Sequence, residues 1–130
     1  MTSKHLKLTA RILIALIFFV AGVRKWLAFA ATSAYFSRLG LPAPEVVTAL
    51  VILIEVGGSI AVVLGWRLRE VAVGMGVFTM ATAFVGHPFW SVESEQFAGQ
   101  LNNFMKNVAI TGAFLLLALQ GQDPKNTQQS

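Results

Sequence analysis

A carboxylate stands in the middle of the most apolar stretch of this chain. Thr48–Leu64 reads T-A-L-V-I-L-I-E-V-G-G-S-I-A-V-V-L, and Glu55 lies near its centre. The stretch is apolar enough to cross a bilayer, where a charge costs at least about 2.5 kcal/mol even on the lenient insertion scale. Something elsewhere in the chain has to offset that cost.

Composition places the chain in the membrane class. Of its 130 residues 55% are hydrophobic and only 12% charged, about half the charged share of an ordinary soluble domain. The length gives room for four spans of about 20 residues with short links. The formal charge is +4, but the basic residues sit at the ends of apolar runs. Membrane topology uses them that way, and nucleic-acid binding does not. With no cysteine, disulfides, thiolate nucleophiles and iron–sulfur ligation are excluded. The opening M-T-S-K-H-L-K is followed by an apolar run that continues past the usual length of a signal core with no convincing small-residue cleavage site, and it reads as a retained first span.

The expectation is an all-α, integral membrane four-helix bundle in a single domain over 1–130, with spans at about 8–31, 45–64, 71–86 and 104–119. Polar tails are expected at 1–7 and 121–130. In span one, Ile12–Val23 is uninterrupted apolar sequence before Arg24-Lys25-Trp26. Twelve helical residues cover only about 18 Å. Either Arg24 and Lys25 end a short span, or Leu27–Ala31 completes the span and the two cations fall inside it. The second reading uses the extra apolar residues and is preferred. Thr32–Pro44 reads as an external segment ending in the breaker cluster L-G-L-P-A-P, and Glu45 suits the start of the next helix. In span two, Thr48, Glu55 and Ser59 share a stripe, and Gly57-Gly58 offers a close-packing surface. Gly65–Glu70 is a tight turn with an interfacial Trp66. In span three, Thr79 and Thr82 read as hydroxyls bonded back to the helix, beside Gly74 and Gly76. Ser91–Asn103 is too polar for lipid, and span four carries Lys106 and Asn107 in its first turns. With the N-terminus inside, six basic residues lie on the inner side (Lys4, Lys7, Arg11, Arg67, Arg69, Lys125) and four on the outer (Arg24, Lys25, Arg38, Lys106). That bias favours both termini in the cytoplasm.

Counting depth from the helix ends brings Arg24, Lys25, Glu55, His87, Lys106 and Asn107 to the outer half of the bundle. Glu55 is then within reach of Arg24 or Lys25, and depth alone does not choose between them. Each residue also has a plainer reading. Arg24 and Lys25 fit interfacial anchors beside Trp26, Glu55 a counter-ion fixing helix register, His87 a solvated residue before Pro88, and Lys106 and Asn107 the polar start of a helix. One usable His and one embedded carboxylate fall short of a metal-ligand set, so no metal is expected.

The runs R-I-L-I-A-L-I-F-F-V-A-G-V-R-K-W, L-V-I-L-I-E-V-G-G-S-I-A-V-V-L-G-W-R-L-R and F-M-K-N-V-A-I-T-G-A-F-L-L-L-A closely resemble the DoxX family, from about Arg11 to Gly121. The motifs are Ala21, Gly22 and Lys25; Glu55, Gly57 and Gly58; and Lys106, Asn107, Ala109 and Gly112. Ser59 stands where many members have a further glycine, and Ala113 likewise follows Gly112. The resemblance implies a small four-helix protein of the bacterial inner (plasma) membrane. It links the chain to quinone-coupled oxidation, as in the membrane subunit of a thiosulfate:quinone oxidoreductase, and to redox-stress complexes. On that basis a quinone or similar small molecule is the expected ligand, bound in a polar pocket. Lys25 and Arg24 would neutralise an oxyanion, Glu55 would order them or exchange protons, and His87 with Asn107 would hydrogen-bond the ligand, with Lys106 in the same pocket and Glu55 and His87 the catalytic candidates. A partner subunit or soluble donor would supply electrons. The rival reading is a non-enzymatic membrane scaffold or assembly factor whose charges lock the bundle. A transporter ranks last, because four short spans form a pore only as a homo-oligomer.

Overall fold

The computed structural model describes residues 2–121. Regular structure among them is entirely α-helical, in the order α1 (Ser3–Leu27), α2 (Phe29–Arg38), α3 (Pro44–Leu64), α4 (Leu68–Gly86) and α5 (Ser94–Gln120). Helices α1, α3 and α4 are each long and apolar enough to cross a membrane. The 21 residues of α3 reach about 31 Å, the thickness of the hydrocarbon core. Large apolar side chains face outward, Leu13, Leu53, Val77 and Leu116 among them, as lipid requires. The chain is an all-α membrane protein.

The described residues divide into two compact units, one holding α1 to α3 up to Arg67, the other beginning at Leu68 and holding α4 and α5. In the first, α1 runs antiparallel to α3: Arg11 lies against Gly65, and Gly22 against Glu55 and Val56. Further along α3, Ser33 of α2 meets Thr48 at 2.9 Å. Thus α1 and α2 divide the length of α3 between them. The buried stripe of α3 is Thr48, Glu55, Ser59 and Val62, which agrees with the helical spacing. Between α2 and α3 the chain reverses through Gly40 (φ 84°) and Ala43 (φ 48°). Pro44 then opens α3 with Glu45 in its first turn, where a carboxylate suits the helix dipole. Gly65 (φ 73°) ends α3, with its N–H on Val62 O and that of Trp66 on Ala61 O, a left-handed cap that glycine adopts at least cost.

In the second unit α4 buries Ala72, Met75, Gly76, Thr79 and Ala83, and α5 buries Phe114, Leu117 and Ala118. A Cβ on Gly76 would meet Phe114 Cβ at 3.5 Å. The threonine hydroxyls turn back onto their own helix, Thr79 to Met75 O at 2.6 Å and Thr82 to Thr79 O at 2.9 Å.

Four boundaries differ from expectation. The turn expected over Gly65–Glu70 is shorter, since Leu68, Arg69 and Glu70 already belong to α4. Residues 3–7 are not a tail. Thr2 caps α1, its Oγ1 accepting from the His5 N–H at 3.4 Å, and Thr9 Oγ1 donates to His5 O at 2.8 Å. Span one does not run unbroken to Ala31, and the segment expected to be external from Thr32 is helical as far as Arg38. The helix stops at Ala28 (φ −116°, ψ 45°) and resumes at once as α2. No Gly or Pro marks that break. Lastly, α5 begins at Ser94, ten residues before the expected Phe104, since Glu95–Asn103 has no proline to stop it and holds Glu95, Gln96, Ala98, Gln100 and Leu101, all good helix formers. Lys106 and Asn107 are therefore mid-helix, and the expected span 104–119 is the apolar part of a helix whose first half is polar. Of the expected C-terminal tail, all beyond Gly121 lies outside the described residues, Lys125 included.

Close helix approach is carried by Gly22 rather than Gly57. A Cβ at Gly22 would stand 2.7 Å from Val56 Cγ2 and 3.1 Å from Glu55 Cβ, whereas Gly57 and Gly74 face open space. Gly22→Ala is expected to push α1 off α3 and lower stability in detergent by about 1–3 kcal/mol. Gly57→Ala is expected to be neutral or to stabilise by up to about 1 kcal/mol. Thermal unfolding of the two variants checks this.

Candidate functional site

Glu55 lies eleven residues into α3 and nine before its end, about 17 Å and 14 Å from the two termini. Register turns it inward, and the missing Cβ of Gly22 lets α1 come close enough for Lys25 to reach it. Lys25 Nζ donates to both carboxylate oxygens, at 3.0 Å each. The Glu55 side chain is 8% exposed and that of Lys25 28%. Lys25 is thus the cation that answers Glu55, and Arg24, one residue earlier, is exposed. Both cations occupy the last turn of α1, where unpaired carbonyls carry partial negative charge and favour them.

The helix break falls beside the pair. Ala28 is three residues beyond Lys25, about 4.5 Å along the axis. Its N–H bonds Arg24 O at 3.0 Å, and its own carbonyl accepts from Thr32 N–H at 2.9 Å. Membrane interiors tolerate non-helical backbone only where protein buries it or where it lines a cavity.

A second buried polar contact escaped sequence reasoning. Thr48 Oγ1 donates to Pro44 O at 2.7 Å. Its single proton is thereby committed, so Ser33 Oγ donates to Thr48 Oγ1. Thr48 was legible on the buried stripe of α3, but Ser33 sits in a segment that reads as external.

The other expected residues belong to the second unit. His87, just past α4, pairs through Nδ1 with Gln100 Oε1 at 2.9 Å, the ring nitrogen donating. Asn107 Nδ2 donates to Thr79 O at 3.4 Å and Thr82 Oγ1 at 3.3 Å, while Asn107 O accepts from Thr111 Oγ1 at 2.9 Å. Asn107 thus ties α5 to α4. Lys106 is exposed. Beside His87, Phe89 packs against Trp90, Phe97 and Phe104 with ring centroids 5.1–6.0 Å apart. Among the described residues no three His, Cys, Asp or Glu side chains gather as a metal site would need.

The family model described as DoxX matches residues 6–88, a range that takes in Gly22, Lys25 and Glu55 but stops short of Lys106 and Asn107. The chain is 40% identical over 116 residues to the inner membrane protein YphA of Escherichia coli (strain K12), covering 89% of this chain and 83% of that one. It is likewise 40% identical over 116 residues to the inner membrane protein YqjF of the same strain, covering 88% and 82%. No solved structure matches.

Removing one member of the pair leaves the other buried without a counter-charge. Lys25→Met is expected to cost about 3–5 kcal/mol, and the double variant Lys25→Met/Glu55→Met to recover most of that loss. Thermal unfolding of both in one detergent gives the comparison.

Proposed function

Because this chain belongs to the DoxX family, we propose that it is a bacterial inner-membrane protein that binds a quinone, or a similar small carbonyl compound, at the Lys25–Glu55 pair. The oxidation or reduction of that ligand is shared with a partner subunit or soluble donor, which carries the electrons. The observation that carries this reading is the break at Ala28 set beside an ion pair inside the span. Interrupted helices next to embedded charges recur where membrane proteins hold ligands.

The chemistry follows from donor count. An ammonium has three N–H groups, and two reach Glu55. The third is left for a ligand oxygen, and the greater exposure of Lys25 makes it the member a ligand meets first. A lysine N–H on a quinone carbonyl stabilises negative charge that develops there on reduction. Glu55 holds the ammonium in place and is the group positioned to pass a proton. The relatives YphA and YqjF are named as inner membrane proteins, which supports the same location here.

Ubiquinone or menaquinone analogues titrated into the protein in nanodiscs are expected to bind saturably. Lys25→Met should weaken binding roughly 10-fold or more, the worth of one charge-assisted hydrogen bond. Absence of binding to the wild-type protein contradicts the reading. One observation favours a scaffold instead: both oxygens of Glu55 are already satisfied by Lys25, so the pair suffices as a clasp between α1 and α3. A scaffold gives no quinone response in any variant, while the stability differences of the pair remain.

The N-terminus is placed in the cytoplasm on the strength of Lys4, Lys7 and Arg11. With no native cysteine, single-cysteine variants report sidedness directly. Ser37→Cys at the end of α2 is expected to react with a membrane-impermeant maleimide on intact spheroplasts, and Ser3→Cys only after permeabilisation.

A further inference from the structure

Arg24 takes no part in the Lys25–Glu55 pair, and its depth makes that costly. Gly22 lies against Glu55 and Val56. Two residues further along the antiparallel α1, Arg24 therefore stands level with the middle of α3, about 14 Å from that helix's nearer end. Its side chain is exposed and makes no hydrogen bond or ion pair with any described residue. Cations close to a helix end snorkel to the headgroups. An arginine side chain, about 7 Å long when extended, covers only half the distance needed here.

The described residues hold no counter-charge for it. Helices α1 and α2 contain no acidic residue. Glu45, Glu70 and Glu95 each stand in the first turn of α3, α4 and α5, and Glu93 is the N-cap of α5. That leaves Glu55, whose two oxygens are both taken by Lys25. Stepping 100° per residue puts Arg24 about 160° round α1 from Gly22, on the side away from α3. Leu13, Ile17, Val20 and Leu27 lie within about 60° of it on that side, and all four are exposed. With Arg24 they recur at alternating steps of four and three residues, the spacing by which one helix seats another, over about 21 Å of α1.

We infer that this face of α1 seats a transmembrane helix of a different protein, one that carries an aspartate or glutamate at mid-span. The carboxylate pairs with the planar fork of Arg24. Neither charge is tolerable alone in lipid, so the pairing also selects the partner. A second copy of this chain does not fit, because two copies related by an axis along the membrane normal bring Arg24 against Arg24. A small soluble anion meets the charge but not the apolar line on either side of it. The inference stands apart from the quinone reading, since Lys25 can hold its ligand whether or not Arg24 is met.

The test reconstitutes the full chain in liposomes at pH 8 and measures energy transfer to synthetic leucine–alanine single-span peptides. The peptides differ only in their central residue, which is Glu, Gln, Leu or Lys. The Glu peptide is expected to associate roughly 10-fold more tightly than the Leu peptide, with the Gln peptide well short of it. Arg24→Leu, which takes a charge out of lipid and so does not threaten the fold, should abolish the preference. Arg24→Glu should transfer it to the Lys peptide. Val20→Trp, which keeps every charge but thickens the face, should weaken binding of the Glu peptide. Equal binding of the Glu, Gln and Leu peptides, a preference that survives Arg24→Leu, undiminished binding in Val20→Trp, or displacement of the Glu peptide by acetate would overturn the inference.

Discussion

The ion pair between Lys25 and Glu55 is the constraint to which the first unit is fitted. A lone carboxylate at mid-span is intolerable in lipid, and a lone ammonium no better. Their union requires two backbones close enough for one side chain to reach across. Gly22 makes that approach and Ala21 precedes it. The pair meets where α1 ends, so the cation also lies against the negative end of a helix dipole. The break at Ala28 then lets α2 take over the remaining length of α3, and Ser33 and Thr48 join there. Removing the close approach would therefore disturb the pair, the break and the α2 contact together.

Much of the fold was legible because hydropathy reports what lipid tolerates. The start and end of α3 and the end of α4 fall where Pro44, Gly65 and Gly86 place them, and the buried stripe of Thr48, Glu55 and Ser59 follows from helical spacing alone. The boundaries that were not legible share a physical cause. Ala28 has no residue that resists helix formation, so the break is imposed by packing rather than by propensity. Conversely, Ser94–Asn103 is polar, and polarity says that a segment avoids lipid without saying that it avoids helix. The N-terminal residues 3–7 are helical for the same reason, once Thr2 supplies a cap.

The candidate site was legible in part. Cost alone predicts that Glu55 has a cationic partner on α1. It does not choose between Arg24 and Lys25, which differ by one residue and about 100° of helical rotation, and only the packed seam selects Lys25. The glycines behaved unequally for a related reason. Gly22 and Gly57 look alike in sequence, but only the residue facing the neighbouring helix affects how close the backbones come. His87 and Asn107 read as ligand-facing groups, whereas in the fold each has partners inside the second unit, Gln100 for one and Thr79, Thr82 and Thr111 for the other. Sequence spacing could not reveal those partners, because they lie on the other helix.

The seam between α1 and α3 depends on Lys25 and Glu55 holding each other inside the membrane. The most direct test exchanges their charges. Lys25→Glu alone places two carboxylates together and should prevent accumulation of folded protein in the membrane. Adding Glu55→Lys to the same chain should restore it, while adding Glu55→Lys to Arg24→Glu should not. Rescue through Arg24, or failure of the Lys25 exchange to do better than its single variant, would contradict the pairing.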